Sequence, residues 1–477
     1  MDQYRRTDEM SKICFLIPDG VGIRNYLYSG VLSELRQEGI EVQIWHSLSE
    51  EVISLSEKIS GYKPQSYSLS NYPEDAITQI MRESASYARL LHNVRKTDNE
   101  TLMANWSFGN PGLRKKLLIK LAEWIGASTR SYESILSVES LLWKKLKSSQ
   151  NYKYSRKKLQ EIRPDVLFCT HQRMPGASAA ILAARELGIP TVTAIFSWDN
   201  LPKARLAMRT DYYLVWSDYM KEEMHFYYPE IPQERILVVG TPQFDFYHDA
   251  TLVQSREEFA ARFGLDPSKK WILFSGDDVK TSPNDHLYLR DIAESLQDQD
   301  DLQLIFRQVP VEGIERYAQV MEAYPKIIHI SPFWKKGSNW QQFFPFPEDV
   351  SHLVNLAFHC ATVVNIGSTM ALDFSFFDKP GLFLRYDHQP GQAWTVNDVY
   401  RFQHFKTMEG LDAVGWIDSK EKITNQIRSA VDHPSTIAKD RRQWLDRVVQ
   451  PSPDSTSSQR IASFFCKITS LAQTQFS

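Results

Sequence analysis

The chain has 477 residues, which is enough for two or three domains with separate hydrophobic cores. With 42% hydrophobic and 24% charged residues, it has the composition of a soluble globular protein and not of a disordered one. The formal net charge of -3 excludes a generally basic nucleic-acid-binding chain, and we expect no nucleic-acid partner.

The four cysteines lie far apart and form no CxxC pair, which excludes a disulfide framework and a zinc site of the usual spacing. They are Cys14, Cys169, Cys360 and Cys466, and the first three sit in apolar runs typical of buried thiols. No apolar run approaches the length of about 18 residues that a transmembrane helix needs. The N-terminal "MDQYRRTDEMSK" lacks the apolar core of a signal peptide. We therefore predict a cytoplasmic protein.

Short apolar strands alternate with longer helical patterns along the chain, which predicts an α/β fold with parallel sheets. The predicted strands of the first half are Lys12–Pro18, Glu41–His46, Asp165–Thr170, Thr191–Phe196 and Tyr212–Trp216, with a helix at Ile23–Gln37. The stretch of about 72–162 has a helical pattern with few strand signals. This pattern predicts a helical insertion in the first domain.

A second α/β series follows "RILVVGTPQFDFY". Its predicted strands are Trp271–Ser275, Leu302–Arg307, Ile327–Ile330, Thr362–Ile366 and Gly381–Leu384, and its closing helices are Lys420–Val431 and Ser457–Ala472. We divide the chain into an N-terminal domain at 1–240, a C-terminal domain at 241–455 and a final helix at 456–477.

The segment "VVNIGSTMALDFSFFDKPGLFL" is predicted to run from a strand into a helix and then, through a Lys-Pro-Gly turn, into a second strand. Gly367 ends the first strand, and Ser368 or Thr369 is a natural helix cap. A helix start presents free N–H groups and a positive dipole end, which suits a phosphate. Thr369 and Asp373 are four residues apart and share a helix face, so Asp373 can accept sugar or ribose hydroxyls. The alternative is an ordinary capped helix with a solvated carboxylate.

This segment resembles the nucleotide-sugar site of GT-B glycosyltransferases and their epimerase relatives, in which a helix with a carboxylate precedes "KP" and a hydrophobic strand. Asp373 in place of the usual Glu, and "GST" in place of a double glycine, depart from that pattern. The passage "RILVVGTPQFD" around Gly240 resembles the interdomain segment of the same family. The resemblance implies two Rossmann-like domains facing a cleft, with the nucleotide sugar bound by the C-terminal domain and the acceptor by the N-terminal one.

Polar residues follow three predicted strands of the first domain, where open α/β sheets bind ligands. "IPDGVGIRNY", "FCTHQRMPG" and "FSWDNLPK" supply three competing candidates for a general base, which are His171, Asp199 and Asp19. The candidate acceptor-binding residues beside them are Gly20, Arg24, Arg173, Trp198 and Asn200, and the indole of Trp198 is expected to offer a stacking plane. Each of these residues also has a structural alternative as a turn residue, a cap or a packed side chain.

In the second domain, "FSGDDVKTSPND" and "LIFRQVP" follow predicted strands. Ser275 and Gly276 are expected to approach the phosphates, and Arg307 to bind the diphosphate. Arg385 is a weaker candidate of the same kind. A divalent ion could bridge the two aspartates of "GDD", but GT-B enzymes generally work without one. We predict no metal and no cofactor other than the nucleotide-sugar donor.

Between Arg114 and Lys158 the chain carries twelve Lys/Arg, three Glu and no Asp, interleaved with Leu, Ile and Trp. This pattern is typical of basic amphipathic helices on an anionic membrane surface. The alternatives are a solvated helix face and a basic patch for RNA.

The resemblance favours an inverting glycosyltransferase that moves a sugar from a nucleotide donor to a glycan or lipid-linked acceptor in surface polysaccharide assembly. A nucleotide-sugar 2-epimerase or a polyol-phosphate transferase on the same fold is the first alternative. A non-catalytic sugar-nucleotide-binding or scaffold protein is the second.

Overall fold

A computed structural model describes residues 10–70, 72–171, 173–206, 208–337, 343–388 and 394–474. For residues 471–474 it describes the backbone and not the side chains. The chain forms two compact units. Unit 1 consists of Met1–Asp245, Lys336–Phe344 and Gln450–Ser477, and unit 2 consists of Phe246–Lys335 and Pro345–Val449.

Unit 1 is built on a seven-stranded sheet of order β3-β2-β1-β4-β5-β6-β7, in which every neighbouring pair is parallel. Its inner strands are short runs of buried aliphatic, aromatic and β-branched residues, as expected for a parallel sheet covered on both faces. The strands are β1 (Lys12–Ile17), β2 (Glu41–His46), β3 (Gln65–Ser68), β4 (Val166–Cys169), β5 (Thr191–Ala194), β6 (Tyr212–Val215) and β7 (Ile236–Val238).

The helices of unit 1 include four that follow one another between β3 and β4. In chain order they are α1 (Val31–Gln37), α2 (Glu50–Ser60), α3 (Ala76–Thr97), α4 (Leu113–Ser128), α5 (Tyr132–Leu146), α6 (Gln150–Ile162), α7 (Pro175–Glu186) and α8 (Asp218–Tyr227), and α17 (Ser457–Thr474) comes last in the chain. In the described part of the chain, no helix is both long enough and apolar enough to cross a membrane.

Unit 2 is built on a six-stranded parallel sheet of order β10-β9-β8-β13-β14-β15. Its strands are β8 (Lys270–Ser275), β9 (Leu302–Arg307), β10 (Ile328–His329), β13 (Thr362–Asn365), β14 (Gly381–Leu384) and β15 (Gly415–Ile417), and the short strand β11 (Trp334–Lys335) lies outside this sheet. The short strand β12 (Phe344–Pro345) spans a boundary between the two units in the sequence. The helices of unit 2 are α9 (Arg256–Phe263), α10 (Asp285–Ser295), α11 (Ala318–Ala323), α12 (Pro347–His359), α13 (Met370–Phe376), α14 (Val396–Tyr400), α15 (Ile423–Asp432) and α16 (Arg441–Val448). The predicted pair of α/β halves is confirmed.

The predicted helix Ile23–Gln37 is wrong in one respect, because it is interrupted. Ile23–Leu27 forms a π-helical turn, and α1 starts only at Val31. The hydroxyl of Ser29 donates to the Asn25 carbonyl at 2.6 Å, and Gly30 follows. A side chain that bonds to a nearby carbonyl competes with regular helix geometry, and glycine weakens the helix further.

The segment that follows β7 binds the start of α17, which is the last helix of the chain and belongs to unit 1. The carboxylate of Asp245 accepts the backbone N–H groups of Ser457 and Ser458, each at 2.8 Å, and so caps α17. Gly240 has a φ of +75°, and a Cβ there would lie 2.5 Å from the hydroxyl of Ser457. The "GTPQFD" motif is therefore fitted to this helix start.

The lysine of the "KP" turn has a structural role. The ammonium of Lys379 donates to the carbonyls of Ala357 at 3.1 Å, Cys360 at 2.8 Å and Phe358, at the end of α12. Burial lowers the pKa of Lys379 to about 8. The side chain satisfies carbonyls that a helix end leaves without intrahelical partners.

A buried charge network attaches α3 and α5 to the rest of unit 1. Both oxygens of Glu139 are bound by Arg89, at 3.0 and 2.9 Å, and one of them is also bound by Arg209 at 2.9 Å. The two guanidinium groups lie 4.6 and 4.9 Å from the ring centroid of Tyr228. Glu139 thus compensates Arg89, and it shares Arg209 with Glu230, whose carboxylate lies 2.8 Å from the Arg209 Nε.

We predict that Glu139→Gln lowers the free energy of unfolding of unit 1 by about 3–5 kcal/mol, because it removes the acidic partner of the buried Arg89 and leaves Arg209 with Glu230 alone. Scanning calorimetry measures this loss. Glu133→Gln, at an exposed position of the same helix, is the control and should change the unfolding free energy by less than about 0.5 kcal/mol. Equal effects of the two substitutions would contradict the role of the network.

Candidate functional site

Asp19 and His171 come together at the carboxyl ends of neighbouring strands. Asp19 follows β1 and His171 follows β4, and Nδ1 of His171 lies 2.8 Å from Oδ2 of Asp19. The second carboxylate oxygen accepts the Val21 N–H at 3.1 Å. An ionised carboxylate only accepts hydrogen bonds, so a neutral imidazole that donates to it from Nδ1 has its lone pair on Nε2. The pair has the form of a general base and a carboxylate that orients it.

The third candidate for the base, Asp199, is engaged differently. Its carboxylate forms an ion pair with Lys203 and accepts the Asn200 amide at 2.8 Å. The amide oxygen of Asn200 in turn accepts from Arg173 at 3.5 Å. Burial lowers the pKa of Arg173, and Asp199 opposes this shift. Asp199 is therefore part of a charge network after β5 whose cations favour its ionised form.

Sequence reasoning missed Glu223, which lies on α8 beside this network. Burial, and then the charge of Asp199, raise the pKa of Glu223 to about 8. Glu223 is therefore protonated at neutral pH, whereas its neighbour Asp199 is paired with Lys203. Two nearby carboxyl groups in opposite protonation states are the usual arrangement of an acid and a base.

The candidate acceptor-binding residues differ in their burial and in their contacts. Trp198 is only 3% exposed, so the prediction that its indole offers an open stacking plane is wrong, because the ring is packed in the core. Asn200 is also buried, within the network described above. Gly20 begins a short 3-10 turn, and the half-buried Arg24 donates to Gln243 at 3.3 Å. An acceptor-binding role of Gly20 and Arg24 stays a prediction.

In unit 2, α13 begins where the sequence placed a helix start. Gly367 has a φ of +71°, Thr369 is the N-cap, and Asp373 lies in the first turn. The N–H of Ser368, however, donates to the Asn365 side chain at 3.0 Å, and the Ser368 hydroxyl accepts the Met370 N–H at 3.4 Å. Thr369, which is exposed, and Asp373, which is half-buried, lie at the same helix start.

The other predicted phosphate ligands are buried or paired within unit 2. Arg307 is buried and binds Asp349 at 2.7 Å, so its charge is already compensated, which argues against the predicted diphosphate contact. Gly276 is buried, and a Cβ there would lie 2.8 Å from the hydroxyl of Tyr317. This glycine therefore serves internal packing, and the buried Ser275 lies directly before it. Arg385 is paired with Asp418 at 2.7 Å.

The two aspartates of "GDD" do not act together. Asp278 accepts the Lys280 N–H at 2.9 Å and so caps a turn. Asp277 instead lies against Asp285, whose carboxylate accepts the Asp277 N–H at 3.1 Å and the Tyr317 hydroxyl at 2.6 Å. Burial, and then the charge of Asp285, raise the pKa of Asp277 well above its ordinary value. Burial raises the pKa of Asp285 to about 6.

This carboxyl pair predicts a pH dependence of stability. Both carboxyl groups have a higher pKa in the folded than in the unfolded state. Their protonation therefore stabilises the fold fully below about pH 4, and this contribution is lost as the pH rises through about 6. We expect Asp277→Asn to gain stability relative to the wild type as the pH rises from about 4 to 8. Melting temperatures measured across this range test the prediction. The exposed Asp300→Asn should keep the wild-type profile, and a parallel profile for Asp277→Asn would contradict the assignment.

No protein-family model matches the chain, and no curated protein matches its sequence. Solved structures do match over nearly the whole length. The UDP-GlcNAc 2-epimerase from Neisseria meningitidis bound to UDP-GlcNAc is 12% identical, with a TM-score of 0.54 over 96% of this chain and 99% of that one. A putative UDP-N-acetylglucosamine 2-epimerase from Listeria monocytogenes is 11% identical, with a TM-score of 0.54 over 98% and 97%.

A glycosyltransferase from Rickettsia africae ESF-5 is similar at 11% identity, with a TM-score of 0.52 over 97% of this chain and 99% of that one. At these identities the likeness establishes the fold alone. The chain has the GT-B fold shared by these nucleotide-sugar enzymes, as its motifs predicted.

Proposed function

We propose that the protein is a GT-B glycosyltransferase that moves a sugar from a nucleotide donor to a glycan or lipid-linked acceptor at the inner face of a membrane. The observation that carries the proposal is the contact between His171 and Asp19 at the ends of β1 and β4. A transferase of this type needs one base to deprotonate an acceptor hydroxyl, and the pair is suited to that role.

In this proposal His171 is the base and Asp19 is its positioning residue. Nε2 of His171 takes the proton of the acceptor hydroxyl. The hydroxyl oxygen forms a bond to the anomeric carbon of the donor while the bond from that carbon to the nucleotide diphosphate breaks. Asp19 holds the tautomer and stabilises the imidazolium that forms, as carboxylates do for catalytic histidines elsewhere. Direct displacement of this kind inverts the anomeric centre.

Unit 2 binds the donor in this proposal. The start of α13 faces the diphosphate, Thr369 donates its hydroxyl, and Asp373 accepts sugar or ribose hydroxyls. The compensated guanidinium of Arg307 is left out of the site. The donor charge is then balanced by the helix start, and no metal is invoked.

We predict that Asp373→Ala weakens nucleotide-sugar binding by roughly 10- to 100-fold, because a hydrogen bond to a charged group is lost. Thermal shifts with UDP, GDP, CDP and CMP and their sugar conjugates identify the nucleotide, since a ligand of the native state raises the melting temperature. The exposed Asp298→Ala should retain the full shift. Unchanged binding by Asp373→Ala would refute the donor assignment.

We predict that His171→Ala lowers turnover by about 10²–10⁴-fold while the nucleotide thermal shift stays at its wild-type size. Asp19→Asn should lower turnover in the same direction, because it removes the charge that orients the imidazole. His225→Ala, at an exposed position on α8, is the matched control. If Asp199→Asn abolishes turnover and His171→Ala does not, the base is Asp199.

A nucleotide-sugar 2-epimerase is the second candidate, and one observation favours it. Inversion at C2 requires one group to remove a proton and another to return one on the opposite face, and Asp199 and Glu223, whose pKa is raised to about 8, are the candidates for these two roles. Conversion of the donor alone, followed by NMR without acceptor, favours the epimerase, and nucleotide release only with acceptor favours the transferase. Binding without either reaction indicates a non-catalytic sugar-nucleotide-binding protein.

A further inference from the structure

Helix α4 carries an apolar stripe that faces away from the protein. We define the α4 stripe as Leu113, Leu117, Leu121 and Trp124, which are 76%, 64%, 43% and 70% exposed. At about 100° per residue these four positions fall within an arc of about 80° on one face of the helix. The helix therefore presents a continuous apolar surface to its surroundings.

The opposite face of α4 already has its partner. Ile119, Ala122 and Gly126 are buried, and they lie on the side of the helix away from the stripe. The contact with α3 is close at Gly126, where a Cβ would lie 2.8 Å from the Ser84 carbonyl oxygen. The inner face therefore accounts for the docking of α4 on unit 1, and the stripe needs a different explanation.

Cations border the stripe on both sides. At about 100° per residue, Arg114 lies on one side of the stripe, and Lys116 and Lys120 lie on the other. All three are exposed, and only Lys120 has an acidic neighbour on the helix, Glu123 at 2.7 Å. In the following segment, Lys145 is paired with Asp75 and Lys147 with Glu186.

We propose that the α4 stripe docks on an anionic lipid bilayer, with α4 lying in the interface. Leucines and a tryptophan enter the headgroup region, and the bordering cations meet lipid phosphates. A protein partner would need a complementary apolar groove, whereas a bilayer needs only the combination seen here. The docking surface is inferred from the geometry of α4. Only its purpose, access to a lipid-linked acceptor, rests on the proposed function.

Sedimentation with phosphatidylcholine vesicles, with and without phosphatidylglycerol and in the absence of nucleotide, tests the proposal. The wild type should bind the anionic vesicles more tightly and lose binding as salt is raised. The triple variant Leu113→Ser, Leu117→Ser and Trp124→Ser should bind both vesicle types at least about 10-fold more weakly. It should retain the wild-type nucleotide thermal shift, because these residues lie outside the donor and base sites.

Removal of the cations separates charge from apolar contact. The variant Arg114→Gln, Lys116→Gln and Lys120→Gln should lose affinity for anionic vesicles by roughly fivefold per charge and bind neutral vesicles as before. The control is Lys280→Gln, Lys326→Gln and Lys439→Gln, which removes three exposed cations of unit 2. Vesicle binding by this control should equal that of the wild type.

Three results would overturn the proposal: no vesicle binding by the wild type, unchanged binding by the serine variant, or a wild-type dimer that the serine variant dissociates. The last result would show that a second copy covers the stripe. His171→Ala should bind vesicles like the wild type whether or not the transferase assignment is correct, so the two proposals fail independently.

Discussion

The parallel direction of the strands is the constraint on which both candidate sites depend. In a parallel sheet all carboxyl ends lie at one edge, so the residues that follow neighbouring strands meet there. This is why Asp19 and His171, which are 152 positions apart in the chain, lie 2.8 Å from each other. The same rule brings Asp277, after β8, close to the Ile366 N–H, after β13. Each site is therefore assembled by sheet order and not by proximity in the sequence.

A charged side chain that is already paired inside the protein stabilises the fold and is less suited to recognise a ligand. Arg307 is the last residue of β9 and would suit a diphosphate, yet Asp349 already binds it within hydrogen-bond distance. Removing that guanidinium from its partner would leave a buried carboxylate without compensation, which is costly. Asp19 differs because its partner is an imidazole, which can gain or lose a proton. A pair that can change its charge fits catalysis better than a permanent ion pair does.

The strands were predictable because buried parallel strands are short apolar runs, and β2, β9 and β14 have the predicted limits. Strand β3 was missed because "QSYS" at the sheet edge is polar and largely exposed. The positions of Asp19 and His171 at strand ends were also predictable, but their contact was not, since it depends on strand order. The burial of Trp198 and the raised pKa of Glu223 depend on neighbours from other elements, which a single sequence does not reveal.

Helix α4 is another case in which the sequence alone does not show which side chains are buried. Apolar residues lie on both faces of this helix, so composition alone does not distinguish the face that packs inside from the face that does not. The close approach at Gly126 decides the matter, because it assigns the inner face to α3. A helix that needs one apolar face for folding and has two must place the second against something other than water. Because cations border that second face, an anionic surface explains both features.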